Sequence, residues 1–251
     1  GAFNLKLPAL LMASLTEKPT SAQETSDALL ANLAQVLAHR LRGLITSIEG
    51  FTDLLADTLA TPEQRELALR VFESTASIER ILSELQWYSR PLHPMPGRRP
   101  LRTLLQELLV MLEENEAARV ALDLRLSGRY QVRADVMLLR QALFMLLKNA
   151  LEATGPAGVV QLRVLGEPRS LRFEVWNEGW MPPEVAEQIF VPFFTTKAQN
   201  LGIGLPIARR IAEAHGGTVY LANNDPDAGI CMALILPQDD EPAADGASSL
   251  A

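Results

Sequence analysis

The chain has 251 residues, 48% of them hydrophobic and 21% charged, which is enough apolar content for one large core or two modest ones and excludes a disordered chain or a fibre. With 23 Lys and Arg against 30 Asp and Glu, a net charge of −7, the balance argues against a protein built to grip nucleic acid or anionic lipid. The single cysteine, Cys231, permits neither an internal disulfide nor a Cys-rich zinc site and points to a cytoplasmic setting. The apolar stretch from Leu7 to Leu15 is too short to cross a bilayer and lacks a signal peptide's cationic flank, so no direct membrane insertion is expected.

Residues 1–26 keep no hydrophobic period and read as a lead-in segment. From Leu30 the apolar residues Leu30, Ala34, Leu37, Leu41, Leu44, Ile48, Phe51 and Leu55 alternate steps of four and three, the seam of one long helix. After a break, Thr61-Pro62-Glu63-Gln64 supplies an N-cap, a first-turn proline and a capping-box Gln, so a second helix begins there. Its Leu67, Val71, Ile78, Ile81, Leu85 and Tyr88 keep the same stepping. Two antiparallel helices with matching seams make a hairpin over residues 27–90, and two hairpins complete a four-helix bundle, predicting a homodimer through residues 30–88.

Residues 91–100 carry four prolines and Gly97, which predicts a stiff linker and a domain boundary. Over 101–238 the pattern predicts a helix from Leu101 to Ala118, strands at Val120–Leu126 and Tyr130–Arg133, and a helix from Asp135 to Ala153. Strands follow at Val159–Leu165, Leu171–Trp176, Thr218–Ala222 and Ile230–Leu236, with a helix at Ile203–Ala214. The fold class is α+β: a helical hairpin, then helices layered on a sheet as an α/β sandwich. Residues 239–251 read as a disordered acidic tail.

His39 falls two residues after the seam position Leu37, on the expected solvent face. Alone it would be an ordinary surface histidine. The run Ala38-His39-Arg40-Leu41-Arg42-Gly43-Leu44-Ile45-Thr46-Ser47-Ile48, however, resembles the H-box of two-component sensor histidine kinases, with matches at His39, Leu41, Arg42, Thr46, Ser47 and Ile48. Leu138 to Ala153, with Lys148-Asn149-Ala150-Leu151-Glu152, resembles the N-box of that family. Trp176-Asn177-Glu178-Gly179-Trp180-Met181-Pro182-Pro183-Glu184 resembles the G1 box, and Ile189-Phe190-Val191-Pro192-Phe193-Phe194-Thr195-Thr196-Lys197 the F-box. Leu201-Gly202-Ile203-Gly204-Leu205 and the helix after it resemble the G2 box.

The resemblance implies a dimerisation and phosphoacceptor domain followed by a GHKL ATPase domain with a Bergerat-type ATP site. It assigns Mg²⁺ to Asn149, the adenine to Asn177 and Gly179, and the phosphates to Thr196, Lys197, Gly202, Ile203, Gly204 and Leu205. Mg²⁺ on one protein oxygen plus phosphates and waters is ordinary chemistry for that ion, and amides at a helix start suit phosphate oxygens. His39, with Arg40 beside it in sequence and Lys197 as a point charge for the terminal phosphates, would take the γ-phosphoryl group and pass it to an aspartate of a response regulator receiver domain.

The sequence departs from the pattern at several places. Arg40 stands where the family has an acid, and it cannot accept a proton from the attacking ring. Met145 stands four residues before Asn149 in place of the usual Asn, or of the catalytic Glu of related ATPases. Asn177 replaces an Asp, one G1 glycine is missing, Asn200 replaces the first G2 glycine, and Leu44 occupies the place of a threonine often found in phosphatase-competent members. These leave open an alternative, a degenerate member that relays phosphate through His39 or serves as a dimeric scaffold for a response regulator. Neither reading leaves room for a sensor domain within these residues, so input is expected from a partner or from sequence outside this chain.

Overall fold

A computed structural model describes residues 41–55, 61–126, 131–197 and 200–238. His39, Arg40, the lead-in segment and the acidic tail lie outside the described residues. The chain divides into two units, Gly1–Arg90 and Pro91–Ala251.

In the first unit, α1 (residues 41–55) and α2 (Pro62–Ser89) are helical. Thr61 caps α2 as its sequence demands: its hydroxyl accepts from the Gln64 amide at 3.3 Å, and the Gln64 side chain accepts from the Thr61 amide at 3.2 Å. Such a cap contributes about 1 kcal/mol. At the other end Arg90 is extended, because a residue preceding a proline is driven out of the helical region. Ile45 packs on Leu82, each 3% exposed, and the Arg42 guanidinium donates to Gln86 Oε1 at 3.1 Å. The pairs 45 with 82 and 42 with 86 run in opposite directions, so the helices are antiparallel.

The hairpin does not close on the apolar seam the four-three stepping predicts. Leu44, Phe51 and Leu55 on that seam are 61%, 68% and 59% exposed in the single chain, while Ile45, one residue over, is buried. One residue is about 100° of helix rotation, so the internal contact uses the neighbouring, more polar track. The described seam residues of α1, from Leu41 to Leu55, face outward.

The second unit holds β1 (Gly97–Pro100), α3 (Leu101–Val110), α4 (Glu114–Ala117), β2 (Val120–Arg125), β3 (Gln131–Ala134) and α5 (Val136–Ala153). It continues with β4 (Val160–Glu167), β5 (Ser170–Asn177), α6 (Pro183–Ala186), α7 (Gly204–Ala214), β6 (Thr218–Asp225) and β7 (Gly229–Pro237). The main sheet has five strands in the order β2-β4-β5-β7-β6, antiparallel except for the β2–β4 pair. Val160, Leu162 and Val164 of β4 and Leu171, Phe173 and Val175 of β5 alternate inward as period-two strands require, and all are fully buried. Onto that face pack Leu139, Leu143, Leu146 and Leu147 of α5 and Ile207 and Ile211 of α7. The opposite face is polar: Arg163 donates to Asp123 at 2.9 Å and to Glu174 at 3.2 Å.

Two expectations are corrected here. The residues 91–100 are not linker throughout, because Gly97–Pro100 pair with Gln131–Ala134 as a second, two-stranded sheet. The helix expected over 101–118 breaks at Met111–Glu113. Glu113 forms a new capping box with Glu116, whose side chain accepts from the Glu113 amide at 3.3 Å. A local cap overrides a continuous apolar pattern, since it satisfies amides that the longer helix would also satisfy but lets Leu112 turn into the core.

Candidate functional site

The site is built on the last turns of α5. Asp135 caps that helix by accepting from the amides of Met137 at 3.1 Å and Leu138 at 3.2 Å. His215, at the end of α7, accepts the Asp135 amide on Nε2 at 3.0 Å, with its Nδ1 2.8 Å from the Ile211 carbonyl oxygen. The other end of α5 is gripped by Arg119, whose guanidinium donates to the carbonyls of Leu151, Gly155 and Gly158 and to the Thr154 hydroxyl. α5 is therefore held at both ends, and Asn149 near its C-terminus is rigidly placed.

Asn149 and Lys197 come together. The Lys197 ammonium lies 3.3 Å from Asn149 Oδ1, 3.4 Å from the Asn149 main-chain oxygen and 3.0 Å from Glu152 Oε2. Thr195 Oγ1 accepts from the Lys197 amide at 3.0 Å, while Thr196 is exposed. Hard oxygens gathered on one cationic group are the donor set that suits Mg²⁺, which takes one or two ligands from protein.

The glycines divide by role. Gly202 has φ +71, and a Cβ there would meet the Phe194 carbonyl oxygen at 2.2 Å, so only glycine fits. Gly204 opens α7, and a Cβ there would sit 3.5 Å from Met145 Sδ. Met145, the residue standing for the usual Asn, thus forms the floor under the start of α7. Ile203 is buried and, having no side-chain oxygen, leaves the N-terminus of α7 without a side-chain cap. The helix ladder begins with the Ile207 amide on the Ile203 carbonyl at 2.9 Å, and Pro206 has no amide to satisfy. Gly204 and Leu205 therefore supply the helix's first N–H groups, a geometry suited to an anion.

Asn177 ends β5, buried, with Nδ2 donating to the Glu178 carbonyl at 2.8 Å. Gly179 follows with φ +130. Asn224 of β6 clamps the shortened loop: its Oδ1 accepts the Met181 amide at 3.0 Å and its Nδ2 donates to the Met181 carbonyl at 2.9 Å. Sequence reasoning missed both Asn224 and Glu152. Glu152 was within reach, since the i, i+3 spacing puts it on the face of Asn149. Asn224 carries no local signal, because its partner is 43 residues away.

Residues 29–93 match the His Kinase A (phospho-acceptor) domain, and residues 134–240 match the family described as histidine kinase-, DNA gyrase B-, and HSP90-like ATPase. The chain is 32% identical to the catalytic domain of histidine kinase ThkA, covering 96% of that chain and 57% of this one with a TM-score of 0.51.

This chain belongs to the histidine kinase family.

It is 31% identical over 220 residues to the signal transduction histidine-protein kinase AtoS of Escherichia coli K12, covering 86% of this chain and 36% of that protein. The structure of histidine kinase ThkA in complex with response regulator protein TrrA is 26% identical, with a TM-score of 0.62, covering 96% of this chain and 69% of that one. The chain spans 36% to 46% of the length of the curated histidine kinases AtoS and ZraS. Among the described residues, no helix is long and apolar enough to cross a membrane.

Proposed function

We propose that this chain is the core of a two-component sensor histidine kinase, transferring the γ-phosphoryl group of ATP to His39 and from there to an aspartate of a response regulator receiver domain. The observation that carries this reading is the convergence of Asn149, Lys197 and the open start of α7, from three motifs far apart in sequence, in one domain of a chain that also carries the phosphoacceptor segment. A neutral ring nitrogen of His39 attacks the γ-phosphorus as the bond to the β-phosphate oxygen breaks, and ADP leaves. The ring's other nitrogen then releases its proton, a step in which Arg40 cannot help as a base.

Asn149 would hold Mg²⁺ through Oδ1, and the ion would supply charge neutralisation at the phosphates. Gly202, Ile203, Gly204 and Leu205 receive phosphate oxygens on main-chain amides. Lys197 supplies a positive charge, Thr196 a hydroxyl from the exposed segment, and Asn177 with Gly179 faces the adenine. The exposed seam of Leu41, Leu44, Ile48, Phe51 and Leu55 supports a homodimer, since it puts an apolar stripe where a second hairpin completes a bundle. The receiver-domain partner and a cytoplasmic setting belong to the same reading.

Purified chain incubated with γ-labelled ATP and Mg²⁺ is expected to acquire an acid-labile, base-stable phosphate that His39→Gln lacks. If no label appears, yet a phosphorylated receiver domain charges His39, the chain is a phosphate relay.

A further inference from the structure

This inference rests on the nucleotide-site reading above. Glu152 has partners at both Lys197 and Asn200. Its Oε2 accepts from the Lys197 ammonium at 3.0 Å and from Asn200 Nδ2 at 2.6 Å. The same ammonium also lies on both oxygens of Asn149. One anionic and two neutral oxygens thus surround a single cation, and the carboxylate is the strongest of the three acceptors. A lysine satisfied there is turned away from any phosphate, so the arrangement has to change when a nucleotide enters.

We infer that Glu152 is a second protein oxygen of the divalent-cation seat, and that Lys197 is a tethered cation filling this seat in the nucleotide-free chain. On loading, Lys197 gives up the oxygens of Asn149 and Glu152 and turns to the phosphates. Glu152 then accepts the metal or one of its waters, and its hold on Asn200 loosens. The exchange couples metal entry to release of Lys197 and Asn200 from Glu152. It is chemically balanced, because one cation replaces another and no proton need move.

The test uses the full chain and two readouts that need no kinase activity. The first is the affinity of a fluorescent ATP analogue with and without Mg²⁺. Glu152→Gln is expected to remove at least about ten-fold of the Mg²⁺-dependent gain, the scale typical of lost metal partners, while metal-free affinity holds or improves. A merely structural Glu152 would lower both affinities in parallel, and that result overturns the inference. The second readout is binding of Mn²⁺ alone, followed by electron paramagnetic resonance. Lys197→Met is expected to tighten Mn²⁺ by about ten-fold by vacating the seat, and adding Glu152→Gln is expected to abolish the gain. Mn²⁺ affinity unchanged by Lys197→Met overturns the proposal. If the wild-type chain binds no ATP analogue at all, the nucleotide-site reading fails, and the Mn²⁺ titration still decides the cation seat.

Discussion

Gly202 lies directly on the Phe194 carbonyl, with no room for a methyl group: a Cβ would come within 2.2 Å of that oxygen, and its φ of +71 is one that L side chains avoid. Gly204, two residues on, has an ordinary 3.5 Å clearance to Met145. The two glycines of one motif therefore predict opposite outcomes. Gly202→Ala is expected to cost about 1–2 kcal/mol from the left-handed conformation alone, with more from the clash, and to weaken nucleotide binding. Gly204→Ala is expected to fold with unchanged or slightly higher stability, because alanine is favoured in a helix by up to about 1 kcal/mol. Thermal melts by circular dichroism and titration with a fluorescent ATP analogue separate the two.

Arg119 is expected to be a stability determinant of the catalytic domain. Its guanidinium reaches four acceptors on the end of α5 and the loop that follows, and hydrogen bonds to a charged group contribute about 1.5–3 kcal/mol each at best. Arg119→Ala should lower the urea-unfolding free energy by about 3 kcal/mol, which includes the part-buried carbonyls left unpaired. Arg119→Lys should recover little, because a point charge cannot replace a planar fork. Equal stability of wild type and Arg119→Lys would refute the role.

Cys231 predicts an alkaline limit. Burial on β7 pushes its thiol up to about 11, with the negative charge of Glu174 adding to the effect. An unfolded thiol ionises near 8.5. Between those values the unfolded chain loses a proton that the folded chain keeps, so this contribution is whole below pH 8.5 and is lost as pH rises toward 11. At pH 8 the native thiol should alkylate about two hundred-fold more slowly than free cysteine, since only the thiolate reacts. Cys231→Ser should flatten the alkaline arm of the stability profile.

The outward seam predicts a separation of oligomer from fold. Phe51→Glu places a charge on the exposed apolar stripe and is expected to yield a monomer by light scattering after size-exclusion chromatography, with helical content kept in the catalytic domain. Ile45→Ala instead opens the contact with Leu82 inside the hairpin. It should cost about 2–3 kcal/mol at that buried pair, toward the low end for an isoleucine truncation.

Much of this protein is written locally. The α2 cap at Thr61, the strand alternation of β4 and β5, and the motif runs that contain Asn149, Lys197 and Gly202 are all periodic or contiguous signals, and those survive in any fold. The family followed from the same runs, because each motif is a short stretch whose residue types are dictated by the chemistry of phosphates and metals.

What only the tertiary structure decided are relations between distant residues. Helical stepping identified an apolar stripe but not which stripe closes the hairpin, since adjacent tracks differ by one residue and packing against Leu82 chose Ile45. Pairing with β3 turned four residues of an apparent linker into a strand, because a strand exists only with its partner. Glu152 and Asn224 look like ordinary polar residues in the sequence. They acquire their roles when folding carries Lys197 and Asn200 to one and Met181 to the other, and charge and hydrogen-bond geometry act over a few ångströms, whatever the separation along the chain.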